Sequence, residues 1–121
     1  PFHNLQALAQ EVIVERFGGE YPFLPEIDWT DRPNETYFGM FMPLTVDESR
    51  GRETIRINCL LNSEDVPREA VKFVLYHEFL HRNHRRHDNT FRERERQFPD
   101  YYKWQRFLDF TFPKFDTRYS M

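Results

Sequence analysis

Residues Tyr76–Phe91 read YHEFLHRNHRRHDNTF and contain four of the five histidines in the chain. Within them, His77, Glu78 and His81 form the motif H-E-x-x-H. Residues four apart on a helix differ by roughly 40° in rotation and about 6 Å along the axis, so both imidazoles can face one ion. Neutral imidazole nitrogen is a preferred zinc ligand. The motif therefore predicts a Zn²⁺ site with His77 and His81 as ligands.

Glu78 is rotated about 100° from His77 and does not belong to the same ligand pair. In an H-E-x-x-H site the glutamate is the general base, while zinc lowers the pKa of water toward ~7 and polarises the substrate carbonyl. The sequence therefore predicts Glu78 as the catalytic residue of a hydrolytic site, on condition that its helix is buried.

A catalytic zinc typically takes three protein ligands and leaves one position for water. His87 is the favoured third ligand, because the chain is expected to turn between it and His81. His84 lies near the helical face of His81, but one straight helix does not easily bring three imidazoles to one ion. Asp88 and Glu93 are further alternatives, and the sequence alone leaves the choice open.

The spacing of apolar residues predicts helices on both sides of this segment. Gly18 and Gly19 end the first helix, and Asp65 is expected to cap the second, with Pro67 in its first turn. This second helix carries the H-E-x-x-H motif and is apolar on most sides, which predicts that it is buried. Asp88 or Asn89 is expected to cap the third. The predicted helices cover residues 3–17, 65–82, 90–97 and 100–110.

Short extended segments are predicted over residues 26–29, 37–42 and 53–61. In the last of them apolar residues alternate, from Ile55 and Ile57 to Cys59 and Leu61, as in a strand with one buried face. A polar turn over 47–52 predicts a β-hairpin, whose second strand has an edge that could accept an extended peptide. We expect an α+β fold with an N-terminal helix, a small mainly antiparallel sheet, a buried active-site helix and C-terminal helices.

Length and composition predict one domain, residues 1–121. No run of about 18 apolar residues could span a membrane, and residues 1–6 lack the features of a signal peptide. The single Cys59 excludes an internal disulfide and favours a cytoplasmic location.

A net charge of -3 and a pI near 6.0 argue against nucleic-acid binding by the whole surface. The arginines between Arg82 and Arg96 are interleaved with Glu93 and Glu95, which predicts a salt-bridged helix face.

The segment resembles the SprT-like and YgjP-like zincin metallopeptidases, in which H-E-x-x-H is followed by H-x-x-x-F. Here the second element is His87-Asp88-Asn89-Thr90-Phe91. IRINCLL before the motif and QFPDYYKW after it are also similar, so the resemblance covers roughly residues 52–108. It implies a zincin-like core, Zn²⁺ bound by His77, His81 and His87, Glu78 as general base, and a peptide or protein substrate.

The chain also departs from these families. One cysteine cannot build the zinc ribbon that SprT proteins often carry, so DNA-linked proteolysis is weakly supported. A metzincin needs glycine where His84 stands and a later Met-turn, and the only later methionine is Met121. The alternative function is a non-catalytic metal-binding or protein-interaction module with a zincin-like fold.

Two further expectations concern the chemistry of the site. The group that stabilises the oxyanion stays open between Tyr37, Tyr101, Tyr102 and an arginine of residues 82–86. Because ligand histidines must be neutral, we expect metal loss as the pH falls below about 6.

Overall fold

The computed structural model describes residues 2–21, 24–43, 53–113 and Phe115. In these residues four α-helices and a three-stranded sheet form an α+β fold, which confirms the predicted fold class. The C-terminal helical pair follows the helix that carries the H-E-x-x-H motif, as predicted. The elements are α1 Leu5–Phe17, β1 Glu26–Trp29, β2 Gly39–Met42, β3 Thr54–Ile57, α2 Arg68–Leu80, α3 Asn89–Glu95 and α4 Tyr101–Thr111.

Helix α1 lies within the predicted range and has a cap at each end. The side chain of Asn4 accepts a hydrogen bond from the Ala7 amide, which satisfies one of the free N–H groups of the first turn. Gly18 has a φ of 61°, the left-handed conformation that ends many helices, and its neighbour Gly19 donates to the Ile13 carbonyl. The predicted stop at the glycine pair is confirmed.

Helix α2 is the centre of the fold, packing against α1, α3, α4, β2 and β3. Every residue from Ala70 to Leu80 is buried, which confirms the burial predicted from its apolar sequence. The predicted start is wrong: Pro67 is in the capping position with an extended backbone, and Asp65 does not cap the helix. Instead the Pro67 carbonyl accepts the first helical hydrogen bonds, and the helix ends at Leu80.

Helix α1 runs along α2, with ion pairs joining the two. Lys72 of α2 has only 3% of its side chain exposed, and its ammonium lies 2.8 Å from a carboxylate oxygen of Glu15 and 3.5 Å from one of Glu11. Arg68 also pairs with Glu11. A buried ammonium is tolerated only where acidic partners compensate its lost hydration, and α1 supplies two of them. This face of α2 is therefore structural.

The sheet has the order β1-β3-β2, with β3 in the centre. Strands β2 and β3 pair antiparallel, as the predicted hairpin requires, while its turn over residues 47–52 lies outside the described residues. Strand β1 pairs parallel with β3, so the sheet is mixed and the expectation of a mainly antiparallel sheet is wrong. Because both edges of β3 are paired, β3 cannot accept a peptide; β2 is the edge strand that lies against α2.

The predicted third strand is also shorter than expected. It ends at Ile57, and residues Cys59–Leu61 form a 3₁₀ turn that the Asn58 side chain caps by accepting from the Leu60 amide. Asparagine side chains compete in this way with regular backbone pairing.

Helices α3 and α4 follow the predicted order. Asp88 caps α3 by accepting from the Phe91 amide at 3.0 Å, which selects it over Asn89. Trp104 and Leu108 of α4 are buried, as their spacing predicted. Among the described residues, no helix has both the length and the apolar character needed to cross a bilayer.

Candidate metal centre

Three histidines from the end of α2 and the following loop converge on one point. His77 is in the last turn of α2, His81 is its C-cap residue, and His87 precedes α3. The Nε2 atom of His81 lies 3.2 Å from that of His77 and 3.1 Å from that of His87. Among the described residues, these three form the one group of potential metal ligands, with the ligand atoms all within 4.8 Å of one another.

The opposite ring nitrogens of two of these histidines are hydrogen-bonded. His81 Nδ1 lies 2.9 Å from the carbonyl oxygen of His84, which can only accept, so Nδ1 carries the proton. His77 Nδ1 lies 2.5 Å from Oε2 of Glu95 and donates to it in the same way. In a neutral imidazole the proton on Nδ1 leaves a lone pair on Nε2. In the neutral rings that a metal ion requires, the two facing Nε2 atoms are therefore both acceptors.

Two facing lone pairs repel each other, and a cation between them removes the repulsion. Ligand nitrogens about 2.0–2.1 Å from a tetrahedral zinc are about 3.3–3.4 Å from each other. The observed separations of 3.2 and 3.1 Å are close to that value. A set of three imidazoles suits zinc, copper, iron or nickel. The triad can therefore hold a metal ion, whose identity its geometry does not specify.

Burial keeps two of the rings neutral. It lowers the pKa of His81 to about 4, with a further contribution from the neighbouring His77. Burial and His77 likewise lower the pKa of His87 to about 4. Both rings are thus neutral at neutral pH, and each has one nitrogen without a proton, as a metal ligand requires. Protons compete for these two rings only well below the pH of about 6 expected for ordinary histidines.

Glu95 is a residue of the site that sequence reasoning did not identify as such. Its side chain is 1% exposed; besides accepting from His77, it lies 2.8 Å from the Arg92 guanidinium and accepts from the Tyr101 hydroxyl at 3.4 Å. Burial alone would raise the pKa of Glu95, but the hydrogen bonds from His77 and Arg92 outweigh it and lower the pKa. A carboxylate behind a ligand histidine fixes the ring and raises its basicity.

A sequence signal for Glu95 did exist. It stands four residues after Phe91 and three before Phe98, both of which are buried, so it belongs to the apolar face of α3. An acidic residue at such a position is rarely buried without a partner.

Phe91 forms the aromatic support of the triad. Its ring centroid lies 4.9 Å from that of His77, 4.7 Å from His81 and 4.9 Å from His87. The ring is fully buried and α3 holds it in place. It thus limits the movement of all three imidazoles.

Glu78 lies beside the triad and is 1% exposed. Its Oε2 is 3.9 Å from His77 Nε2, whereas its Oε1 is buried with no hydrogen-bond partner among the described residues. Burial raises the pKa of Glu78 well above the ordinary value, and the nearby charge of Glu95 adds to this. An unpartnered buried carboxylate oxygen is costly, which marks Glu78 as a candidate functional residue.

The other residues considered as ligands lie outside the cluster. His84 contributes its carbonyl oxygen to His81, Asp88 uses its side chain to cap α3, and Glu93 is exposed. The predicted salt-bridged arginine face is present in part, because Arg82 pairs with Glu53 and Arg92 pairs with Glu95.

An open cavity reaches the triad from one side. It has a volume of about 240 Å³ and is lined by His81 and His87, by the apolar Phe41 and Pro43, and by Arg85. Phe41 belongs to β2 and Pro43 directly follows it, so this strand forms the apolar side of the cavity. Arg85, in the loop between His81 and His87, forms the charged side.

Comparisons with protein-family models, with curated proteins and with solved structures return no match for this chain. The resemblance to SprT-like and YgjP-like metallopeptidases stays a prediction that rests on the motif and its flanking sequence.

Proposed function

We propose that this chain is a zinc-dependent metallopeptidase. His77, His81 and His87 bind the ion, Glu78 is the general base, and the substrate is a peptide or protein. The observation that carries the proposal is the convergence of three imidazole Nε2 atoms, two of them with inferred lone pairs, beside the buried carboxylate of an H-E-x-x-H motif. Zinc is the metal of choice because it is common for sites of this ligand set.

Bound zinc would supply an activated water and polarise the peptide carbonyl. Glu78 accepts a proton from the attacking water and returns it to the nitrogen of the amine that leaves. Burial raises the pKa of Glu78, which makes its carboxylate a stronger base than that of an exposed glutamate. Glu95 holds His77 in the orientation that keeps its Nε2 lone pair available.

Access to the site also supports a peptidase. The cavity beside His81 and His87 is large enough for a side chain, and the edge strand β2 passes along it with Phe41. An extended peptide could pair with β2, since edge strands offer unpaired backbone groups. Of the arginines considered for the oxyanion, Arg85 is the one that lines this cavity, whereas Arg82 is engaged by Glu53.

A non-catalytic metal-binding module would be favoured by a fourth protein ligand or by a closed site. Asp88, the acidic residue considered for that role, uses its side chain to cap α3. The open cavity at His81 and His87 also leaves room for a substrate. These two observations support the catalytic proposal over its alternative.

The test is the substitution Glu78→Gln in the zinc-loaded protein. Denatured casein and a fluorogenic peptide library are the substrates, and bound zinc is counted by elemental analysis. We expect the wild type to hydrolyse them, a chelator to abolish hydrolysis and zinc to restore it. E78Q should keep its zinc and lose about 10²–10⁴-fold in rate, the usual contribution of a general base.

Two control variants accompany this test. Glu93→Gln makes the same chemical change at an exposed glutamate and should hydrolyse like the wild type. His87→Ala should lose most of the zinc together with the activity. Hydrolysis by E78Q at the wild-type rate would refute the role of Glu78. A zinc-loaded wild type that cleaves nothing would favour the non-catalytic module.

A further inference from the structure

The first residue of β2, Gly39, faces the side chain of Glu78. A Cβ atom added at Gly39 would lie 2.9 Å from Glu78 Cγ, 2.9 Å from its Oε2 and 3.1 Å from its Cδ. Two of these contacts are shorter than real Cβ atoms show. All three atoms belong to the carboxylate arm of one side chain. Glu78 therefore occupies the space that any other residue at position 39 would fill.

The backbone does not require glycine at this position. Among the described glycines, Gly18 and Gly19 have positive φ angles, but Gly39 does not. Gly39 pairs with Ile57 in the antiparallel ladder, where an alanine backbone would fit equally well. Glycine inside a strand weakens it and often marks a close approach of another group. Here the group that approaches closely is the side chain of Glu78.

We infer that Gly39 is a positioning residue for Glu78: the missing side chain in β2 sets where the carboxylate lies relative to the histidine triad. Glu78 has little other room, because the cavity it shares with His77 and Phe38 has a volume of only about 20 Å³. That is about the space of one water molecule. A methyl group at position 39 would displace Oε2 from its place 3.9 Å from His77 Nε2.

The contact can be tested without any assumption about function. Gly39→Ala, Glu78→Ala and the double variant are unfolded in urea with zinc removed by a chelator. We expect G39A to lower the urea midpoint of the wild type but not that of E78A, because the alanine that replaces Glu78 lacks the Cγ, Cδ and Oε2 atoms that crowd the new methyl. An equal decrease in both backgrounds would overturn the inference.

This double-mutant cycle, the comparison of G39A, E78A and the double variant, stays decisive if G39A alone does not fold. In that case the double variant G39A/E78A should recover soluble protein with a cooperative urea transition. A double variant that is also unfolded would refute the contact, since removal of the Glu78 side chain would then not relieve the strain.

The consequence for catalysis rests on the proposed function. In zinc-loaded G39A we expect kcat to fall at least tenfold, while KM and the zinc content stay at the wild-type values, because only the base has moved. A wild-type kcat in G39A, or a loss explained entirely by lost zinc, would refute the positioning role. If the wild type hydrolyses nothing, the proposed function fails, and the urea cycle still decides whether Gly39 positions Glu78.

Discussion

Glu95 contacts His77 on the ring nitrogen opposite the one that would bind a metal ion. Its carboxylate accepts from His77 Nδ1 at 2.5 Å in a buried setting, so its charge raises the affinity of the opposite nitrogen for a cation. We expect Glu95→Gln to weaken zinc binding about 10–100-fold, the usual effect of losing such a partner. Gln keeps an oxygen that can accept the hydrogen bond, so the change removes mainly the charge. Competition with a chromophoric chelator measures the affinity.

Tyr101→Phe is the matched control for that substitution. It removes the weaker 3.4 Å hydroxyl contact to Glu95 and leaves the charge in place. Its zinc affinity should stay within a few-fold of the wild type. Wild-type affinity in E95Q would contradict the role of Glu95.

At the residue level, the sequence identified the parts of the site that are near one another in the chain. His77, Glu78 and His81 belong to one helix, so their relation follows from helical geometry. The sequence did not identify Glu95 and Gly39 as site residues, because their roles depend on how α3 and β2 pack against α2. Glu95 was interpreted as part of a solvated charged face, since periodicity alone does not distinguish a buried acid from an exposed one.

Asp88 connects two elements, because it follows the third histidine and caps α3. Its carboxylate accepts from the Phe91 amide at 3.0 Å, and α3 carries both Phe91 and Glu95. We expect Asp88→Ala to lower the free energy of unfolding by about 0.5–2 kcal/mol, the usual cost of a lost N-cap. Because α3 supports the triad, zinc affinity should fall as well. Urea unfolding and chelator competition measure the two effects.

Asp88→Asn is the control, since asparagine caps a helix about as well as aspartate. It also removes the charge that a metal-binding carboxylate would need. We expect D88N to match the wild type in stability and zinc binding. Loss of zinc in D88N without loss of stability would mean that Asp88 acts as a ligand and would contradict its role as a cap.

Helices and strands could be predicted from the sequence where a single feature, such as the spacing of apolar residues, determined them. Helices α1, α2 and α4 follow from apolar spacing, and Gly18 marks an end because its positive φ suits glycine. The parallel pairing of β1 with β3 was missed, because an alternating pattern shows that a strand has a buried face and not which strand lies beside it. Asp65 failed as a cap because α2 begins at Arg68, which puts Pro67 and not Asp65 in the capping position.

At the scale of the whole molecule, the fold buries two of its three candidate ligands, His77 and His81, and half-buries His87. Helix α2 is surrounded by other elements, so the rings of His77 and His81 share the interior with the apolar residues that stabilise the fold. A charge on the His81 ring in the absence of a metal is therefore a cost to the entire domain and not to a surface loop.

This burial predicts how the metal-free protein responds to acid. The pKa of His81 and of His87 is about 4 in the fold, against about 6.5 for an unfolded histidine. Between these pH values the unfolded chain binds more protons than the folded one, so the free energy of unfolding must decrease as the pH is lowered from about 6.5 toward 4. Above about 6.5 both forms of these rings are neutral, and they add no pH dependence.

Urea unfolding of the chelator-treated protein at a series of pH values measures this dependence. Acidic groups also titrate near pH 4, so the contribution of the triad must be isolated by comparing variants. His87→Gln removes one titrating ring of the triad, and we expect its midpoint to fall less steeply than that of the wild type below pH 6.5. His84→Gln changes a ring outside the cluster and should follow the wild type. Equal slopes in H87Q and the wild type would contradict the lowered pKa of the half-buried His87, and with it the reason why a cation should bind there more readily than a proton.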